Sequence, residues 1–139
     1  MPRCEYCRCR VACTLSCRVG DTVLQLVVSE GLVSRYPGAS IGDLANLRAA
    51  MIGRASCFKY AQHFNLQKWL VVGNAIDSGY SQDRTSLPYP PNILSELYEA
   101  VLGAIYVDAG LEQSHIWFAK HVDWPVHFNS AVKRFNVVA

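Results

Sequence analysis

The sequence lacks any long apolar run. Its uninterrupted hydrophobic stretches fall far short of the ~18 residues a bilayer-spanning helix needs, and the first twenty residues contain no apolar signal-peptide centre. Membrane spans and secretion are thereby set aside, and the expectation is a soluble, intracellular chain with no membrane partner. A large excess of one charge is also missing. The formal net charge is +2, but residues 1 to 18 hold four arginines against one glutamate, which leaves nine basic and ten acidic residues in the rest. A body this close to neutral does not grip many phosphates unaided, so any affinity for nucleic acid is expected to be modest and salt-sensitive. No G-x-S-x-G elbow, glycine-rich phosphate loop or dinucleotide fingerprint occurs, which sets aside those hydrolase and nucleotide-binding classes. Nothing alternates with the period of two that a half-buried strand requires.

What is present is enough for one core: 139 residues, of which 51% are hydrophobic, fit a single folded domain and argue against disorder. Five of the six cysteines, Cys4, Cys7, Cys9, Cys13 and Cys17, crowd into the N-terminus, while Cys57 stands alone in an amphipathic stretch. Cys57 reads as a small buried hydrophobe in a reducing compartment. Cys4-x-x-Cys7 resembles half of a zinc site, but the remaining three cysteines form no matching half and no histidine is near. The alternative is an Arg/Cys-rich leader, disordered or foreign to the fold, over residues 1–18, followed by a domain over 19–122 and a C-terminal tail over 123–139.

Helical periodicity dominates that domain. Val23, Leu24, Val27, Val28 and Leu32 form one stripe from Asp21 to Tyr36, and Pro37-Gly38 stops it. A second helix follows Ser40 through Leu44, Leu47 and Met51, a third runs from about Arg54 to Phe64, and a short helical turn is predicted over Gln67–Val72. Gly73 to Pro91, rich in Gly, Ser, Asp and Pro, reads as a mobile loop. Asn92 is a candidate cap for a long helix to about Val107, closed by Asp108-Ala109-Gly110, and a last helix runs from Leu111 to about Val122. The fold class is all-α.

Glu96 and Glu99 project from one side of that long helix, and between Arg84 and Lys120 the only basic side chain is His115. Exposed, the two carboxylates repel weakly. Partly buried at about 6 Å and an effective dielectric near 20, the repulsion is roughly 3 kcal/mol, and burial then demands a cation. The competing reading is a solvated face, with Glu96 assisted by the helix dipole in the first turn. Asp21 likewise has a plain reading as an N-cap. Taken together, Asp21, Glu96 and Glu99 are oxygen-only donors from two helices, the set a hard Mg²⁺ takes with waters completing its shell. His115, His121 and His127 are six apart and share no helix face, so they read as solvated or hydrogen-bonded rather than as a metal triad.

Three stretches, in this order and separation, resemble the catalytic domain of the ribonuclease III family over about residues 13 to 122. Val19-Gly20-Asp21-Thr22-Val23-Leu24 is similar to the family's Leu-Gly-Asp-x-Val-Leu, and Val28-Ser29-Glu30 through Arg35-Tyr36-Pro37 continues it. Asp43 to Ala50 resembles the next family helix. Asn92-Ile93-Leu94-Ser95-Glu96-Leu97-Tyr98-Glu99-Ala100, followed by Gly103 to Asp108, resembles the second acidic motif. The resemblance implies a helical endonuclease that cuts double-stranded RNA with Mg²⁺, Mn²⁺ serving as a substitute, and works as a dimer, leaving 5′-phosphate and 3′-hydroxyl ends. It implies Glu99 as the principal metal ligand, with Asp21 and Glu96 orienting water and completing the shell, and Asp21 and Glu99 as the catalytic pair.

The same resemblance marks departures. Cys17 stands where the family has a further metal-binding glutamate, Arg18 replaces a phenylalanine that packs into a dimer partner, Ala55 an asparagine, and Ile41 a position that is usually acidic. The family's preceding helix and a following double-stranded-RNA-binding domain have no counterpart in this sequence. The expectation is therefore an N-terminally truncated or divergent member, an endoribonuclease in RNA processing, with two competing readings: a catalytically inactive module for RNA binding or protein assembly, and a helical interaction domain whose glutamates are only surface.

Overall fold

In the computed structural model the described residues are 10–70 and 91–122, with side chains from Ser16 onward. Among them the chain is helical throughout: α1 (Arg10–Arg35), α2 (Ile41–Ile52), α3 (Arg54–His63), a 3₁₀ turn (Leu66–Trp69) and α4 (Pro91–His121). No helix there is long and apolar enough to cross a membrane.

The apolar stripe of α1 is the spine of the core. Val23, Leu24, Val27, Val28 and Leu32 are all buried, and they meet Leu94, Tyr98, Leu102 and Phe118 of α4 and Leu47, Met51, Cys57 and Ala61 of α2 and α3. Tyr36 ends α1 with its amide bonded to the Leu32 carbonyl, ahead of Pro37-Gly38. Ser40 caps α2: its hydroxyl accepts from the Asp43 amide at 3.1 Å and donates to the Asp43 carboxylate at 2.7 Å. Gly53 in an extended conformation separates α2 from α3. Aromatic rings fill the contact of α3 with α4, with Tyr60 5.2 Å from Tyr98 and edge-on to Phe118, and Phe64 stacked on Trp117 at 5.0 Å.

Three features differ from the expectation. α1 does not open at Asp21, so Asp21 is not an N-cap; the helix continues back to Arg10, and the division expected at residue 18 falls inside it. The reason is packing. The Ser16 hydroxyl donates to the Ala100 carbonyl at 2.8 Å, and the turn before Gly20 lies against α4. Asn92 is not the cap of α4 either. Pro91, whose ring presets a helical φ, already belongs to the first turn, and the Asn92 side chain instead accepts from Arg54 at 3.0 Å. Glu96 consequently lies beyond the first turn, outside the reach of the dipole argument. Third, the turn predicted over Gln67–Val72 is a 3₁₀ segment ending at Trp69.

The stop expected at Asp108–Gly110 is a kink within α4, where Gly110 takes φ 83° and ψ −178°, a backbone state suited to glycine. The expected loop between Gly73 and Pro91 lies almost wholly outside the described residues, as do the tail over 123–139 and the first nine residues of the leader.

Candidate active site

The crossing of α1 and α4 decides where the acids stand. Gly20 and Gly103 face each other there: a Cβ on Gly20 would collide with the Glu99 carbonyl, and one on Gly103 with the Ser16 carbonyl. Two backbones can approach this closely only where both side chains are hydrogen. Asp21 follows Gly20 directly, so the contact that admits Gly20 also brings the Asp21 carboxylate beside the Glu99 turn. Asp21, Glu96 and Glu99 then line one cleft of about 400 Å³ together with Cys17, Arg18, Arg54 and Ser95.

The carboxylates differ in setting. Both oxygens of Asp21 accept from Gln25 Nε2 at 3.2 Å, one turn along α1, which holds the carboxylate half-buried in place. Glu96 is exposed at the rim. Glu99 is half-buried, and desolvation pushes its carboxyl above the usual range; the Cys17 thiol, donating to Oε2 at 3.0 Å, pulls it back, Asp21 and Glu96 push it further up, and Arg54 opposes them. The charge crowding argued from the sequence is thus felt at Glu99, where burial and two neighbouring acids act in the same direction. Cys57 lies beneath the site, fully buried, its thiol pushed up to about 12 by desolvation and by the charges of Glu99 and Asp21, so it is an inert core residue.

Among the described residues no three His, Cys, Asp or Glu side chains stand close enough together to hold a metal ion as placed. The three acids therefore share a cleft without closing on one point. The donor chemistry still fits a hard cation. Mg²⁺ keeps several waters and takes one or two carboxylates directly, so tight three-way convergence is not required, and a cation would relieve the mutual repulsion centred on Glu99. Cys17 is a poor partner for such an ion, since a neutral thiol offers little to a hard cation.

Two of the three histidines are engaged elsewhere. His115 Nε2 lies 2.6 Å from Glu30 Oε2 and ties the second arm of α4 to α1, and His121 Nδ1 is 2.6 Å from the Trp117 carbonyl. His127 lies outside the described residues. Sequence reasoning missed Gln25, Arg54 and the donor role of Cys17. The Asp21-to-Gln25 spacing of four was a readable signal for the first. Arg54 gave none, because it reaches the cleft only through the packing of α3 on α4.

The Ribonuclease III domain family model matches residues 18–110. The chain is 37% identical over 112 residues to ribonuclease 3 of Rhodopirellula baltica, covering 78% of this chain and 40% of that protein. It is 39% identical over 95 residues to ribonuclease 3 of a Nitratiruptor species, covering 68% and 39%. The chain thus spans about two fifths of the length of these curated relatives. Among solved structures it is similar to the nuclease domain of ribonuclease III from Campylobacter jejuni, with a TM-score of 0.64 and 30% identity, covering 87% of this chain and 74% of that one; that protein shows structural flexibility in a region involved in dimer formation.

Proposed function

This chain belongs to the ribonuclease III family, and on that premise we propose that it is an intracellular endoribonuclease that hydrolyses phosphodiester bonds of double-stranded RNA. The observation that carries this reading is the single cleft in which α1 presents Asp21 and α4 presents Glu96 and Glu99, with Glu99 the carboxylate most in need of a counter-ion. Mg²⁺, or Mn²⁺ in its place, would be held chiefly by Glu99, with Asp21 and Glu96 reaching it directly or through water. The chemistry such an ion supplies is a more acidic water and charge neutralisation at the phosphoryl oxygens. The protein's own part is positional. Gln25 fixes the Asp21 carboxylate and the Gly20–Gly103 contact sets its distance from Glu99, so that Asp21 is placed to orient water while Glu99 is left to hold the ion.

We further propose a homodimer contact at the apolar groove of about 360 Å³ between Arg18, Val19, Val23 and Leu26 of α1 and Tyr106 and Leu111 of α4, where Leu26 and Tyr106 are exposed. The nuclease unit is placed at 19–122 together with the packed end of α1 before it, the first residues as a leader and 123–139 as a tail.

One observation favours the second reading, a fold retained for RNA binding or assembly without catalysis. The Cys17 thiol occupies a lone pair of Glu99, the residue on which the cation depends. Cleavage of a long RNA duplex in Mg²⁺ decides between them, with Glu99→Gln as control. The expected result is cleavage by the parent and a loss in Glu99→Gln beyond the roughly 10–100-fold typical of outer-shell partners. Equal cleavage by the variant removes Glu99 from the mechanism, and no cleavage by either protein establishes the silent module. Cys17→Glu is expected to raise the rate, because a fourth carboxylate replaces a thiol at the same cleft.

A further inference from the structure

A cleft built from three carboxylates repels the polyanion it is meant to cut. Asp21, Glu96 and Glu99 supply three negative charges and Arg18 and Arg54 two positive ones, so without a cation the cleft is anionic overall by one charge. A divalent cation reverses that sign only locally, and the phosphates flanking the scissile bond still need partners. Among the described residues the two guanidiniums are the only cationic side chains lining the cleft, and they come from different elements: Arg18 from α1 and Arg54 from the first residue of α3.

Neither guanidinium is consumed by the acids. Among the described residues no ion pair joins either arginine to a carboxylate and both side chains are exposed, but Arg18 also lines the groove assigned above to the homodimer contact, which leaves Arg54 as the cation that serves the cleft alone. Arg54 is held in place from the other side, its Nη1 donating to Asn92 Oδ1 at 3.0 Å across α3 and α4. Guanidinium has five donors, so a bond to one amide oxygen leaves the rest of the fork for a phosphate. Asn92 thus aims Arg54 without neutralising it, which an Asp at the same place would do. An arginine intended only to balance Glu99 would sit against it; here the charge reaches Glu99 through space while the hydrogen bond goes elsewhere.

We propose that Arg54, aimed by Asn92, is the backbone-phosphate grip of this cleft, holding an RNA phosphate beside the carboxylates. The grip rests on the endoribonuclease reading above and adds to it the residue that holds the substrate. It assigns Arg54 to substrate binding and Asn92 to positioning.

Equilibrium binding of a labelled RNA duplex as a function of salt tests it, with the full chain carrying Glu99→Gln so that no cleavage intervenes. Removing one phosphate-binding side chain lowers the magnitude of the slope of log K against log salt by roughly one unit. Arg54→Ala is expected to weaken binding and reduce the slope by about one unit. Arg54→Lys keeps the charge and is expected to keep the slope while binding less tightly, because an ammonium cannot hold both Asn92 and a phosphate in a planar fork. Asn92→Ala is expected to weaken binding several-fold with the slope unchanged, since the charge remains and only its aim is disturbed. Circular dichroism of each variant matching the parent removes misfolding as the cause. Duplex binding whose affinity and salt slope survive in Arg54→Ala overturns the grip and leaves the endoribonuclease reading standing. A parent that binds no RNA duplex at low salt overturns both.

Discussion

Two faces of α4 are built on opposite principles. On one, Gly103 meets Gly20 of α1 backbone to backbone, and the space beside them is a polar cleft lined by acids and arginines. On the other, Tyr98, the neighbour of Glu99, packs with Tyr60 of α3, Tyr60 meets Phe118 edge-on, and Phe64 and Trp117 are stacked at the margin. The aromatic face removes large apolar areas from water and supplies stability. The glycine face buries little side chain and contributes geometry, and its half-buried, mutually repelling carboxylates work against stability. Folding strength and chemistry are thereby separated around one helix.

The largest effect that would break this division is at the rings. Phe118→Ala, at a fully buried position, is expected to destabilise by about 3–5 kcal/mol, the range for large aromatic truncations. Denaturant unfolding measures it, and the fraction still folded is expected to retain the cleft chemistry. A loss of cleavage with no loss of stability would show that the two faces are not separate.

Gly103→Ala tests the other face. The added methyl meets the Ser16 carbonyl, which is backbone and cannot swing away, so α1 and α4 must part. Overpacking of this kind costs about 1–3 kcal/mol. RNA cleavage is expected to fall further than that stability loss explains, because Asp21 and Glu99 separate when the helices do. Cleavage that tracks the folded fraction would remove the glycine contact from any role in the site.

The smallest effect has the opposite sign. The carboxyl of Glu99 is raised in the folded chain, so between its unfolded and folded pKa values the native state binds the more protons, and stability falls as pH rises through that window. At neutral pH Glu99→Gln removes the penalty and is expected to raise Tm by a few degrees; below the ordinary carboxylate range the difference vanishes. Thermal melts at both pH values read this directly. Adding Mg²⁺ is expected to raise the Tm of the parent and leave that of Glu99→Gln almost unmoved, because ligand binding to the native state stabilises by mass action. A Glu99→Gln variant less stable than the parent at neutral pH without metal would show that the Cys17 bond outweighs the burial and repulsion.

These tests also bear on how far the sequence could be read. The stripe of α1, the Ser40 cap and the break at Gly110 were legible because each is a local rule, periodicity, capping or backbone freedom, that acts within a few residues. Asp21, Glu96 and Glu99 could be grouped through their resemblance to known motifs, and in the fold they line one cleft without closing on one point. The start of α1 was misread because the Arg/Cys-rich composition suggested a leader, whereas residues 10–17 contain neither Gly nor Pro and gain a packing partner in α4. Asn92 was misread for a related reason. A good cap residue was visible, but its actual partner, Arg54, lies 38 positions away and is brought to it only by the folded arrangement.

Gly110 has a consequence for how this chain tolerates change. In an unbroken helix every side chain is phased to every other, so repacking near Trp117 and Phe118 would turn the whole rod and rotate Glu99 out of the cleft. The non-helical step at Gly110 uncouples the two arms, and adjustment beyond it is taken up as a change of elbow angle. Trp117 and Phe118 can therefore shift their packing while the acids keep their bearing, and substitutions accumulating over generations are expected to be denser after residue 110 than between 96 and 103.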